Sequence, residues 1–240
     1  MSFSNKSELN KTLDENGYLI LRNVLTECVI SDLTHELSSL SFSSAVSRRG
    51  DSVYGVRDLL NVSHLIRDFS TSKTVRKVVE CFLEKDASLV RAIYFNKTEN
   101  ANWKVPWHQD LTIAVRERID ISGFYPWTRK ADVWHVQPPI NILENMVALR
   151  FHLDDANESN GALKVIPGSH RAGRLAADEI RYTRLATETA VCRVKKGDCL
   201  VMRPLLLHSS SAGLNPRQRR VIHFEFSADR LPDQLEWHES

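Results

Sequence analysis

The chain has 240 residues, of which 42% are apolar, 26% charged and 8% aromatic; it can bury a substantial core, and disordered, collagen-like and coiled-coil classes drop out. Lys and Arg number 32 against 30 Asp and Glu, a formal charge of +2, so charge does not indicate nucleic acid as a partner. No apolar run approaches the roughly 18 residues a membrane helix needs, and Cys28, Cys81, Cys192 and Cys199 lack C-x-x-C spacing, which predicts a cytoplasmic protein with free thiols and no membrane partner.

In chain order, residues 7–15 read as a helix that Asn16-Gly17 breaks, and Tyr18-Leu19-Ile20-Leu21 reads as a short buried strand. Thr26 stands as an N-cap before Val29, Ile30, Leu33, Leu37 and Leu40 at helical spacing, and Ser72 does the same before Val75, Val78, Val79 and Phe82. From Ser88 the period becomes β-like, in segments 89–95, 146–153, 162–166, 190–194, 199–207 and 221–226. Turn signals such as Asn160-Gly161 and Pro167-Gly168 divide them. Helices first and strands later predict a mainly β fold with packed helices, most economically a jelly roll. No repeat or linker divides the chain, so a single domain over residues 1–240 is expected. Residues 111–145 fit neither period and read as an irregular, lid-like insertion, rich in Trp and Pro.

His108 and Asp110 are two residues apart, a spacing that projects both side chains from one face of an extended strand. His208, 98 positions beyond Asp110, ends the apolar run 199–207 and offers a third donor. Two imidazoles and a carboxylate on one face of a metal suit a non-haem Fe(II) oxygenase, with a zinc hydrolase on a cupin-like barrel as the chemical competitor. Arg219, 11 positions after His208, favours the first, because a guanidinium can anchor a carboxylate by two parallel hydrogen bonds. A jelly-roll binding module without catalysis is the third reading.

The ordered set His108-Gln109-Asp110, Gly161-Ala162-Leu163-Lys164-Val165-Ile166-Pro167-Gly168-Ser169-His170, and His208 followed by Arg219 resembles the phytanoyl-CoA dioxygenase (PhyH-like) family of Fe(II)/2-oxoglutarate oxygenases. The resemblance runs from about Tyr18 to about Phe226. It implies a double-stranded β-helix of the cupin-like kind, with His108, Asp110 and His208 as Fe(II) ligands. It also implies that Arg219 and Ser210 hold the distal carboxylate of 2-oxoglutarate, and that O2 is the second cosubstrate. The expected reaction is hydroxylation of an unactivated C–H bond in a small molecule, with release of succinate and CO2. Asp110 is present where halogenating relatives are expected to lack a carboxylate, which favours hydroxylation.

Substrate candidates are Arg150, at a family position often filled by an aromatic, together with Trp107 and Arg57. A second tripeptide, His152-Leu153-Asp154, ranks below the first because Asp154 runs into a polar turn and is expected to be solvated. His170 is read as a turn or pocket-rim residue, and His223 as a maker of a structural hydrogen bond. Arg217, Arg219 and Arg220 form a basic cluster that strand alternation splits, Arg219 sharing a face with Val221 and His223. Trp103, Trp107, Trp127 and Trp134 gather in or before the insertion, as a wall excluding water would require.

Overall fold

Helix α1 (Lys6–Asn16) starts where the Asn5 side chain accepts the Glu8 N–H at 3.2 Å and stops at Gly17, whose φ of +79° suits a residue without Cβ. Strand β1 (Tyr18–Leu21) follows, then α2 (Glu27–Ser39), capped by Thr26. Strands β2 (Val46–Arg49) and β3 (Ser52–Val56) precede helices α3 (Leu59–Val62), α4 (His64–Ser70) and α5 (Lys73–Phe82), the last capped by Ser72. The computed structural model describes residues 5–40, 46–49, 52–83, 86–215, 218–232 and 234–239. No helix among these residues is long and apolar enough to cross a membrane.

The strand-rich part runs β4 (Ser88–Lys97), β5 (Val105–His108), β6 (Ile113–Val115), β7 (Trp127–Lys130), β8 (Val133–Val136), α6 (Ile140–Glu144) and β9 (Met146–His152). It continues with β10 (Leu163–Val165), α7 (Ala177–Ala186), β11 (Ala190–Val191), β12 (Cys199–Met202), β13 (His208–Ser210) and β14 (Arg219–Ser227). A seven-stranded sheet has the order β1-β12-β9-β14-β4-β3-β2, a four-stranded sheet the order β11-β10-β13-β5, and a three-stranded sheet the order β6-β8-β7.

Alternation along β14 decides the architecture. Ile222, Phe224 and Phe226 are fully buried and pack, with Leu149 and Phe151 of β9, against Leu33, Leu37, Ile66, Val75 and Val79 of the helices. Each such side chain contributes about 1.5–3 kcal/mol of burial, so the helical layer holds that face of the large sheet. The opposite face of β14 presents Arg219, His223 and Glu225 to a cavity shared with β5 and β13 of the four-stranded sheet. The antiparallel, helix-backed jelly roll expected from the sequence is the fold observed.

Several local expectations change. The first third carries two further strands, β2 and β3, that pair with each other and through β3 with β4. The stretch 111–145 is not irregular: β6, β7 and β8 pair antiparallel, and Ile113, Val115, Phe124 and Val136 are buried in a core of their own. Its strands are three or four residues long, too short to impose a visible period. The run 199–207 is two pieces, because the chain leaves the large sheet after Met202, turns at Arg203-Pro204 and enters the other sheet at His208. His208 therefore opens a strand instead of ending one. Helix α7, with no buried residue, lacked the apolar stripe by which a helix is recognised.

Candidate active site

His108, Asp110 and His208 come together although 98 positions separate the last two. His108 lies directly opposite His208 in the β5–β13 register, with ring centroids 4.2 Å apart, and the Asp110 N–H is fixed by the Pro204 carbonyl at 2.9 Å. Gln109 secures the same bend: its amide nitrogen donates to the carbonyls of Gly173 and Leu205, both at 2.7 Å, and its oxygen accepts from Leu175 N–H at 2.8 Å.

The imidazole tautomers follow from the backbone. His108 Nδ1 lies 2.8 Å from the Pro106 carbonyl and His208 Nδ1 2.8 Å from the Leu206 carbonyl. A carbonyl oxygen only accepts, so each Nδ1 carries a hydrogen, and in the neutral ring Nε2 presents a lone pair. Those Nε2 atoms stand 3.8 Å and 3.6 Å from the two carboxylate oxygens of Asp110, beyond hydrogen-bond length. Burial, set against attraction from Asp110, takes the His208 pKa down to about 4, so that ring is neutral near neutral pH. With both rings in that form, two lone pairs and a carboxylate converge on one space, which a divalent cation would fill. The donor set thus fits a metal with two imidazole ligands and one carboxylate on one side and open positions on the other.

The triad opens on a cavity of about 420 Å³. At one end, Arg219 is 3% exposed and its Nε has no hydrogen-bond partner. Burial first, and the neighbouring Arg150 second, bring its pKa down to about 9, still charged at neutral pH. Lys97, opposite Arg219 in the β4–β14 register, is 1% exposed and donates to Ser210 Oγ at 2.7 Å and the Ser211 carbonyl at 2.6 Å. Burial, with Arg219 and Arg150 nearby, lowers its pKa to about 7. Ser210 Oγ in turn donates to the Gly161 carbonyl at 2.8 Å.

A chain of charged bonds lines the same cavity beside the triad. Arg91 donates to Glu225 at 2.5 Å, His223 Nε2 lies 2.8 Å from the same carboxylate oxygen, and Arg150 lies 3.1 Å from His223 Nδ1. Because a guanidinium only donates, His223 Nδ1 accepts and Nε2 carries the hydrogen to Glu225. Asp110, His223 and Glu225 also lie close enough for a shared cation, as do Asp58, His238 and Glu239. In the first group the carboxylate is already engaged by Arg91 and His223; in the second, His238 and Asp58 bond each other at 2.7 Å.

Of the residues singled out in the sequence, Arg57, His108, Asp110, Arg150, His208, Ser210 and Arg219 all line this cavity, whereas Trp107 does not. Trp107 neighbours His108 on a strand, where adjacent side chains point to opposite faces. Trp103 lines the cavity; Trp127 and Trp134 instead meet edge to face and pack, partly buried, against the core of the three-stranded sheet. Asp154 is not solvated: it accepts from Arg220 Nε at 2.8 Å and Nη2 at 2.7 Å, which removes it from the metal candidates. His170 sits half-buried against the Asp14 carbonyl, and Arg217 lies outside the described residues. Lys97, Arg91, Glu225 and Lys130 were missed; the alternation of Arg91, Ile93, Phe95 and Lys97 along β4 was the available signal, masked by the apolar residues between them.

The family model described as Phytanoyl-CoA dioxygenase (PhyH) matches residues 13–221. Similar curated proteins include phytanoyl-CoA dioxygenase 1 of Oryza sativa subsp. japonica, 26% identical across 66% of this chain and 51% of the relative. The ectoine dioxygenase of Nocardia farcinica is 26% identical across 92% of this chain and 78% of the relative. The chain thus spans about half the length of the rice relative. Among solved structures, AviO1 from Streptomyces viridochromogenes Tue57 has a TM-score of 0.70 at 21% identity, covering 97% of this chain and 99% of that one. EctD from S. alaskensis with 2-oxoglutarate and 5-hydroxyectoine has a TM-score of 0.72 at 14% identity, covering 95% and 78%. At these identities the structural matches speak for a shared fold.

Proposed function

The chain belongs to the phytanoyl-CoA dioxygenase (PhyH) family, and from that premise we propose that it is an Fe(II)- and 2-oxoglutarate-dependent dioxygenase that hydroxylates an unactivated C–H bond of a small molecule. One oxygen atom of O2 enters the product hydroxyl and the other enters succinate, with loss of CO2. The observation that carries the proposal is the pairing, in one cavity, of a convergent His108/Asp110/His208 donor set with a buried guanidinium that has no counter-ion among the described residues. A hydrolytic zinc site has no standing use for such a guanidinium, whereas a dicarboxylic cosubstrate needs one.

The iron, when bound, supplies the oxidising chemistry. The residues of this chain position and exclude. Arg219 would receive the distal carboxylate of 2-oxoglutarate, leaving the keto-acid end toward the triad. Ser210 would turn its hydroxyl hydrogen from the Gly161 carbonyl to that carboxylate, and Lys97 would offer its remaining N–H. Arg150, held by His223, keeps a positive potential beside the cosubstrate without touching the triad. His108 and His208 are locked by their backbone partners, so little reorganisation accompanies metal binding.

Arg219→Ala should weaken 2-oxoglutarate binding by about 100-fold, the loss of a charge-assisted bidentate contact, while Fe(II) affinity changes little. Anaerobic titrations of each ligand against the purified protein measure both. Collapse of iron binding with 2-oxoglutarate affinity intact would overturn the division of labour. Substrate-stimulated succinate formation across a pool of small metabolites tests the activity itself.

A further inference from the structure

The cavity carries more positive charge than the cosubstrate can use. Six basic side chains line it, Arg57, Arg91, Lys97, Lys130, Arg150 and Arg219, against two carboxylates, Asp110 and Glu225. Arg91 and Glu225 neutralise each other at 2.5 Å. A divalent metal with Asp110 leaves one positive charge, and the two negative charges of 2-oxoglutarate offset that and one of the cations near Arg219. Part of the Lys97, Arg150 and Arg219 charge stays unmatched, and at the other end so do Arg57 and Lys130. Among the described residues neither forms an ion pair, and together with Arg91 they line both this cavity and a constriction contiguous with it. The constriction also carries two carboxylates, but Asp58 is bonded to His238 at 2.7 Å and burial raises the Glu239 pKa to about 7, so neither serves as an ion-pair partner for Arg57 or Lys130. Burial first, then Arg91, lowers the Arg57 pKa; burial first, then Arg57 and Arg91, lowers that of Lys130.

Their place in the fold separates them from the cosubstrate end. Arg57 follows β3, Lys130 ends β7, and both meet the cavity where Asp110, Leu111 and Thr112 line it, while Arg219, Ser210 and Lys97 sit on strands at the other end. Lys130 is delivered by the three-stranded sheet within residues 111–145, which gives that segment a chemical purpose. On the reading of this site as a 2-oxoglutarate-dependent oxygenase, we propose that its substrate is an organic oxyanion whose charged group is seated between Arg57 and Lys130, leaving its C–H-bearing part toward the triad. The seat takes a carboxylate or a phosphate monoester. A cavity of about 420 Å³ that also holds the cosubstrate encloses only a small substrate body, against Ile93, Phe95 and Leu111.

The probes are short-chain carboxylates and phosphate monoesters, each beside its neutral amide or alcohol twin. They are titrated by ligand-observed NMR into the protein loaded with 2-oxoglutarate and Zn(II) in place of Fe(II), so that binding is read without turnover. An anion is expected to bind at least about tenfold more tightly than its twin, and to lose about tenfold in Lys130→Gln and in Arg57→Gln while Lys130→Arg retains it. Affinity for 2-oxoglutarate should be the same in all of these proteins. The better-bound anion class identifies which headgroup the seat serves. Equal binding of the neutral twins, no binding by any anion, or variants that weaken 2-oxoglutarate instead of the probe would each overturn the proposal. Failure of the unaltered protein to bind 2-oxoglutarate at all, seen before a probe is added, would instead remove the oxygenase reading and this one with it.

Discussion

At His108 and His208 the local backbone does the chemical work usually credited to a distant partner, since each Nδ1 is committed to a carbonyl two residues earlier in its own chain. That contact turns each Nε2 toward Asp110 and, in the neutral ring, leaves it the acceptor that a metal ligand must be. Lys97 is the residue with the clearest pH signature. Its pKa falls from 10.5 to about 7 on burial, so between those values the unfolded chain holds a proton that the folded one has released. Stability therefore rises with pH across that window, and below it the buried ammonium is a constant burden. A dicarboxylate seated beside Lys97 favours the ammonium again, so 2-oxoglutarate binding should take up a proton at a pH between those values and weaken as pH rises. Calorimetry in two buffers of different ionisation enthalpy measures this uptake, and Lys97→Met should abolish it; no uptake in the unaltered protein would contradict the assignment. The candidate metal triad was legible because its residue types and spacing are those a metal site would use, and the structure brings the three together. Lys97 was not, because a lone lysine in an apolar strand reads the same whether it faces solvent or a cavity.

Strands β4 and β14 are joined by charge as well as by the ladder. Glu225 is 1% exposed and Arg91 11%, directly opposite in register, with His223 completing the acceptor's needs. Glu225→Gln keeps the shape but strands a buried guanidinium, and should cost about 3 kcal/mol in urea unfolding. A loss under about 1 kcal/mol would mean that water already screens the pair. The turn before β10 shows a different constraint: Gly161 has φ of +74°, and a Cβ there would lie 2.4 Å from the Ser211 carbonyl and 2.9 Å from Lys97 Nζ. The sequence marked that glycine as a turn, but only the fold reveals that its missing side chain makes room for the site. A long apolar run such as β9 and a clear alternation such as that of β14 were legible in the sequence, while the short strands β6, β7 and β8 were not. Three or four residues carry too few repeats to reveal a period.

Across the whole molecule, iron and 2-oxoglutarate should act as folding ligands, because their donors come from both facing sheets and from the loop after β5. At about 100 times the dissociation constant, binding adds about 2.7 kcal/mol, or a rise in Tm of about 5–10 °C for a chain of this size. Thermal unfolding under anaerobic conditions, with and without Mn(II) as a stand-in for Fe(II) plus 2-oxoglutarate, measures it, and His208→Ala should erase the gain. An equal gain in His208→Ala would place the ions elsewhere. The amino-acid order alone determined the helix-then-strand architecture, the family resemblance and the choice of His108, Asp110 and His208 as candidate donors, since hydrophobic periods and ligand spacings are local and survive without coordinates. Only the tertiary structure decided which lysines and arginines face one another across the cavity, that Trp107 stays outside it, and that Asp154 belongs to Arg220. Those facts depend on register between strands distant in the chain, and no short-range pattern encodes the partner of a buried charge.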